Sequence, residues 1–381
     1  MTKTICLFSP GMNGQGYYRI PSVVRTRKGT LICAGDERIY SNADNPNRIN
    51  KVLRRSLDGG QSWGPLLTAV RESGESQNTS SAAIDPALVV NEANGEILMI
   101  YCHTTPGIGL YNSIRSVGGL SDGKEIPTSY LMLTKSRDDG LTWTEPVCLN
   151  DAVKDPSWGF IGAGPGCRIC IRAGKYAGRI VFPIYYSGNI RQPSLMACVI
   201  YSDDVGDTWT CGQSVLRYGE DQMTDGVMRS DEMQITECQV VEHGEGILHL
   251  YMRNHAACRR IARATSTDGG ESWSDFRFLD DMPQPICQLS AIRFRYRDRV
   301  CVAIVNPSSE TAREHGTVRL SLDDGITFPY SLCFCPGPFL YNASVYLPET
   351  EEIGIAYEPT WDSINFVKLK IKDIISKGLD Q

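Results

Sequence analysis

The side chains of this sequence that could do chemistry are carboxylates, arginines and tyrosines, because its histidines and cysteines are not spaced for it. The five histidines, His103, His243, His249, His255 and His315, show no HExxH or other ligand spacing, so neither a metal site nor a catalytic histidine is expected. Cys167-x-x-Cys170 could serve redox or zinc chemistry, but no second pair at metal spacing follows, and Cys333-x-Cys335 is too tight. The fourteen cysteines sit mostly in apolar runs such as Cys33 in LICAG, which reads as buried, reduced thiol. Arginines offer more. Arg19 in YRIP, Arg253 in LYMRN and Arg313 in AREHG each carry a planar, permanently charged fork that can grip a carboxylate by two bonds. Taken singly, each reads as a solvated charge at a strand edge. Asp36-Glu37-Arg38 is followed six residues later by Asp44 in the polar loop NADNPNRIN, where an Asx-turn aspartate is the plain reading. Tyr341 in PGPFLYNASVYLP has a plain reading too, as a core aromatic, although Tyr346 suits that better.

The elements that must position these side chains show as a repeat. Ser-x-Asp-x-Gly-x-x-Trp runs from Ser56 to Trp63, and again from Ser136, Ser202 and Ser266 to Trp143, Trp209 and Trp273. A fifth copy from Ser321 carries Asp323 and Gly325 but ends on Phe328. Each follows a strand-like run such as YLMLTKS. The aspartate of such a turn accepts nearby backbone N–H groups, glycine supplies the positive φ, and the aromatic packs back on the sheet. These aspartates are read as builders of hairpin turns, not calcium ligands, since the ligand spacing of an EF-hand is absent. Ser56 to Ser321 spans 265 residues over four intervals, a mean near 66, and 381 residues at that spacing make about six units. The expected fold is all-β, a six-bladed β-propeller of four-stranded antiparallel sheets. The wide gap between the first two copies is assigned to a loop over 104–128, rich in Gly, Ser and Thr. Residues 368–381 are expected to contain a short helix. No composition break divides the chain, so 1–381 is expected to be a single domain.

Composition narrows the function. Hydrophobic residues are 41% and charged residues 22%, as in a soluble globular protein. A net charge of −6 argues against a general nucleic-acid surface, and an anionic substrate would need a local cluster of arginines. No stretch is long and apolar enough to form a spanning helix, and Ile5–Phe8 is too short for a signal-peptide core. A cytoplasmic location is expected, unless the chain is a processed or truncated form. No membrane partner, nucleic acid, metal or cofactor is expected.

A second, non-repeating set of residues falls between the turns in the order found in the sialidase (neuraminidase) family of retaining glycoside hydrolases, which this chain resembles over nearly its whole length. The turns resemble that family's Asp boxes, which unrelated propellers also share. Arg19-Ile20-Pro21 resembles its Arg-Ile-Pro element, and Arg253 and Arg313 resemble its second and third arginines. The resemblance implies that these three bind the carboxylate of a terminal sialic acid. It implies that Glu358 in AYEP holds Arg19 in place and that Asp44 is the general acid/base, Asp36 being a weaker competitor. It implies Tyr341 as nucleophile, with Glu237 in TECQVVE as its partner; the surrounding match departs at Phe339 and Asn342. Arg38 is implied to touch the sugar near its 4-position, and Asp85 in AIDPALV to line the acylamino pocket, although Asp85 before Pro86 also reads as a turn residue. Sialidases are known for a tyrosine nucleophile. The anomeric carbon carries a carboxylate that would repel an anionic Asp or Glu, and a neutral phenol avoids that clash. With a pKa of about 10 the phenol needs a carboxylate to draw off its proton.

The implied activity is that of an exo-α-sialidase, hydrolysing terminal sialic acid from glycoconjugates or oligosaccharides with retention and taking a sialylated glycan as partner. Three other readings share parts of this residue set. A trans-sialidase or anhydro-forming lyase would differ in rim aromatics, for which Trp158 and Phe160 in DPSWGF are candidates. A hydrolase of a related 2-keto-3-deoxy sugar acid would differ in its acyl pocket. A non-catalytic carbohydrate-binding propeller would be expected to lose Tyr341, Glu237 or Asp44, and all three are present.

Overall fold

The structure, a computed structural model, describes residues 3–14, 16–188, 195–215, 223–224, 227–228, 234–274 and 276–378. Runs such as LICAGDER and IVFPIYYS form strands, Leu31–Arg38 and Ile180–Ser187, in which every residue is buried. Tyr330–Pro338, at the edge of its sheet, is only half-buried along most of its length. A strand covered on both faces reads as a nearly continuous apolar run, whereas an outer strand keeps polar positions. The pattern is that of sheets standing face to face around an axis, with cores between neighbours. Val89, Leu98 and Ile100 of one sheet pack with Phe182, Cys198 and Trp209 of the next. Val181 and Val199 pack on Val240 and Leu250, and Val305 and Val318 on Ile353 and Ile355.

The expectation of six separate four-stranded blades is corrected by the hydrogen bonding. Among the described residues, four blade-sized sheets form, and a fifth, much larger sheet has nine strands. Thr4–Phe8, Ser363–Lys370, Glu352–Thr360 and Asn342–Leu347 make the first, so the first strand closes onto the last. Ile235–His243 through Arg277–Pro283 make a second and Ser290–Tyr296 through Tyr330–Pro338 a third, each of four strands. The five-stranded sheet centres on Ile180–Ser187 and Leu195–Ser202. The nine-stranded sheet arises because Ile49–Ser56 and Ala82–Val90 meet through a parallel bridge at Ile49 and Ala82, and Gly166–Cys167 also adds in parallel. The repeat spacing counts turns, and it is blind to such bridges between strands.

The repeated turns have a common wiring. Asp58 Oδ1 accepts the backbone N–H of Gln61 and Ser62, both at 2.9 Å, while Ser56 Oγ accepts Gly60 N–H at 2.8 Å. Asp138, Asp204, Asp268 and Asp323 serve their own turns in the same way. Gly60 has φ 81°, and a Cβ there would lie 2.6 Å from the Phe366 ring, so this turn needs glycine. Trp63 meets Phe366 edge-on at 5.2 Å, fastening the turn to the adjoining sheet. Residues 104–128 run mostly as loop with a small hairpin, Leu120–Ser121 with Lys124–Glu125, and Ile371–Lys377 is helical. No helix among the described residues is long and apolar enough to cross a membrane.

Candidate active site

The candidate residues lie where their strands break register. Regular strand alternation would send neighbouring side chains to opposite faces, and a bulge re-aims one of them. Register shifts between Arg19 and Ser22, Ile84 and Ala87, Ile235 and Cys238, and Tyr357 and Thr360. These intervals hold or adjoin Arg19, Asp85, Glu237 and Glu358. Ile20 has φ 57° and Asp85 φ 62°. A branched side chain in that region costs on the order of 1–3 kcal/mol. Glu358 helps hold Ile20 there, accepting its backbone N–H at 2.6 Å.

Around the bulges the charges pair. Arg19 donates from Nε and Nη2 to the two oxygens of Glu358, at 3.2 and 3.1 Å. Both residues are buried, Glu358 completely. Burial works against the Arg19 charge, but Glu358 and Tyr341 outweigh it and raise the pKa. Tyr341 donates its phenolic O–H to Glu237 Oε1. Arg253 Nη1 bridges both, at 2.5 Å to Glu237 Oε2 and 2.7 Å to the Tyr341 oxygen. Burial pushes the Tyr341 phenol well above its ordinary value, opposed by Arg253, so it rests neutral. Arg313 donates to the Ile286 carbonyl at 3.0 Å and lies 5.5 Å from the Tyr341 ring centre; Arg19 lies 5.4 Å from the same ring. Three guanidinium groups therefore surround one phenol, from Tyr17–Arg25, Ile247–Asn254 and the approach to Glu314–Ser321.

Asp44 comes from the loop between Leu31–Arg38 and Ile49–Ser56. Its loop is knotted by Asn47, which bonds the Ala43 and Ser41 carbonyls at 3.0 and 2.9 Å, and by Asn45, which reaches the Ile108 carbonyl at 3.2 Å. The turn bonding thus falls to the asparagines. The Asp44 carboxylate pairs with Arg38 at 2.7 Å, its side chain 68% exposed. Desolvation by the surrounding wall raises its pKa, but Arg38 and Arg19 together win and hold it below the ordinary carboxylate range. Arg38 is fully buried, donating to Asp36 at 3.2 Å and to the Asn42 carbonyl at 2.8 Å, so in this state it faces Asp44 rather than open space. Asp36 is also bonded by Lys51, whose ammonium reaches the Ala83 carbonyl at 2.6 Å. Asp85 accepts the Tyr185 hydroxyl at 3.3 Å. Burial, with Asp36 and Glu237 nearby, pushes its carboxyl well above the ordinary range.

Comparison with known proteins places this geometry. Residues 50–357 match the BNR repeat-like domain family. A sialidase of Bacteroides fragilis is 30% identical over 96% of this chain and 64% of its own length. A sialidase of Micromonospora viridifaciens is 31% identical over 92% of this chain and 51% of its own. The solved structure of the Hadza microbial sialidase Hz136 superposes with a TM-score of 0.80 at 31% identity, covering 94% of this chain and 66% of that one. The chain belongs to the sialidase family. It spans about half to two-thirds of the length of these relatives.

In this sialidase-family chain the structure adds three residues to the site. Trp361 is 48% exposed, with Arg19 4.7 Å and Arg313 5.1 Å from its ring centre. Cys287 is buried against Ile20 and Tyr341, its thiol pushed up to about 11 by burial. Lys51 ties Asp36 beneath Arg38. No local pattern marks any of them; Trp361 carried one cue, its place three residues beyond Glu358. Of the candidate rim aromatics, half-buried Trp158 stacks on Tyr186 at 3.6 Å and buried Phe160 packs against Tyr185. His315 is half-exposed and, among the described residues, bonds none of the site residues.

Proposed function

We propose that the protein is an exo-α-sialidase that hydrolyses terminal sialic acid from a sialylated glycan with net retention. The observation that carries this is the Tyr341 phenol held between Glu237 and Arg253 within a ring of three arginines. Arg19, Arg253 and Arg313 grip the substrate carboxylate and set the anomeric carbon over Tyr341. Glu237 takes the phenolic proton as the oxygen attacks, and Arg253 stabilises the charge that develops there. Asp44 protonates the departing glycan oxygen, then removes a proton from the water that releases the sugar. Arg38 and Arg19 hold the Asp44 carboxyl below its ordinary range. A bound carboxylate neutralises the arginines and brings its own negative charge, so substrate itself raises Asp44 toward the protonated form. Arg38 and Asp36 position Asp44, and the Asp85 carboxyl and Tyr185 hydroxyl face the acylamino side of the sugar.

A second reading is favoured by Trp361. An exposed indole standing against two of the clamp arginines can shield the tyrosyl intermediate from water, leaving a hydroxyl of the sugar to act as acceptor and give an anhydro product. One assay separates these readings. A fluorogenic α-ketoside of N-acetylneuraminic acid is followed by NMR beside Tyr341→Phe and Trp361→Ala. Free α-sugar appearing first, and lost in Tyr341→Phe, supports the hydrolase. An anhydro sugar that gives way to free sugar in Trp361→Ala supports the second reading. Binding without any release would leave a lectin and sink both.

A further inference from the structure

The strand Tyr17–Arg25 that brings Arg19 to the active site ends about 20 Å further on at a second, separate cavity. This cavity has a volume of about 450 Å³ and is ringed by strands from all five large sheets, including Val23, Val89, Ile169, Val240, Phe294 and Val345. It is the far mouth of the axis on which the sheets converge. Between the two ends lies a polar plug. Gln288 donates to the Asn342 carbonyl at 2.8 Å, Ser22 Oγ to the Gly166 carbonyl at 2.7 Å, and Gln239 to the Pro165 carbonyl at 2.7 Å.

The charge of this mouth is unlike that of the molecule. Arg25, Arg27, Arg168, Arg172, Arg293 and Arg295 line it, and among the described residues Glu92 and Glu242 are its only acids. Six arginines against two glutamates leave +4, in a chain whose net charge is −6. Pairing to residues beyond the lining reduces this but does not cancel it. Arg25 pairs with Glu349 and Arg293 with Asp324 at 2.6 Å, while within the lining Arg172 pairs with Glu92 at 3.2 Å and Arg293 stands 3.8 Å from Glu242. Glu242 is also bonded by the backbone N–H groups of Arg172 and Ala173, at 3.0 and 3.1 Å. Among the described residues Arg27 bonds only the Ala93 carbonyl, at 3.2 Å, and exposed Arg295 makes no ion pair. Setting the buried Arg168 aside and counting the outside partners Glu349 and Asp324, five positive charges still face four negative ones. Like charges converging on one concave mouth repel, and a bound anion relieves that repulsion. Several guanidinium forks at once suit an oxyanion with more than one charged group.

We propose that this mouth is a binding site for a small multivalent oxyanion, a phosphate ester or polycarboxylate, separate from the active site. The volume lies within the range of small-molecule pockets. The plug between the two ends runs through Asn342, next to Tyr341.

The test uses pyrophosphate and citrate as probes, titrated into the protein by calorimetry in a non-coordinating buffer. Arg27→Gln/Arg295→Gln alters two exposed side chains, and its near-UV circular dichroism checks the fold. The expected result is saturable binding of at least one probe, weakened at least tenfold in that variant and unchanged in Arg313→Ala. Hydrogen exchange on the unmodified protein gives a second readout: the probe should slow exchange at 89–92 and 291–295. Affinity lost in Arg313→Ala but kept in the double variant would overturn the proposal, because the anion would then occupy the active site. Absence of binding at millimolar probe would overturn it as well. So would binding to heparin or anionic vesicles alone, which would make this mouth a macromolecular surface.

Discussion

Replacing Glu358 with alanine separates the arginine clamp from its support. Glu358 is fully buried, pairs with Arg19 through both oxygens and also accepts the Ile20 N–H. Removal leaves a buried guanidinium without its counter-ion, which costs about 3–5 kcal/mol. It also strands a backbone donor at a left-handed, β-branched residue, worth about 1–3 kcal/mol more. The expected destabilisation of Glu358→Ala is therefore about 4–8 kcal/mol, read from urea unfolding. Arg19→Leu alone should cost a similar amount, since it buries an unpaired carboxylate. The pair Arg19→Leu/Glu358→Leu, which removes both charges together, should recover much of the loss, giving a coupling of more than about 2 kcal/mol. Catalysis should not recover with it. Both variants that lack Arg19 should lose kcat/KM by about 100-fold or more on a sialoside, on the order of 3 kcal/mol of transition-state binding. Stability of Glu358→Ala within about 1 kcal/mol of the parent would refute the reasoning, as would full activity in the double variant.

Three further outcomes follow from the geometry. Tyr341→Phe removes the phenolic oxygen but leaves Glu237 paired with Arg253, so it should fold normally and lose about 10³-fold or more in kcat, measured with a fluorogenic sialoside. Asp44 is acidified by Arg38 and Arg19 and must be protonated at the first step, so kcat/KM should fall as pH rises. Arg38→Met should move that limb to higher pH, and an unmoved profile would separate Asp44 from the acid role. His103 is raised to about 9: burial lowers it, but Glu125 and Glu72 prevail. Its folded value lies above its unfolded one, so its stabilisation is complete below about pH 6.5 and lost as pH rises through 9. Thermal melts at pH 6 and 9.5 should differ by less in His103→Asn than in the parent.

The repeated turns were legible because their chemistry is local. Ser56, Asp58, Gly60 and Ser62 bond within a few residues of one another, and each copy repeats that local wiring. The order of Arg19, Asp44, Glu237, Arg253, Arg313, Tyr341 and Glu358 along the chain also sufficed to name them together, by family resemblance. How the strands group into sheets did not follow from spacing. A single parallel bridge at Ile49 and Ala82 merges what the turns count separately, and hydrogen bonds between distant strands leave no mark in local periodicity. Convergence likewise belongs to the tertiary structure. Arg19 and Glu358 meet across nearly the whole chain, and Arg253 reaches Tyr341 from another sheet. The same holds for Trp361, which gains its place from two arginines that only the closed ring of sheets brings to it. Sequence by itself supplied the turn chemistry, the all-β class and the identities of the reactive groups. Folding alone decided which charges lie close enough, and dry enough, to alter one another, because burial and Coulomb energy depend on separation in space and not along the chain.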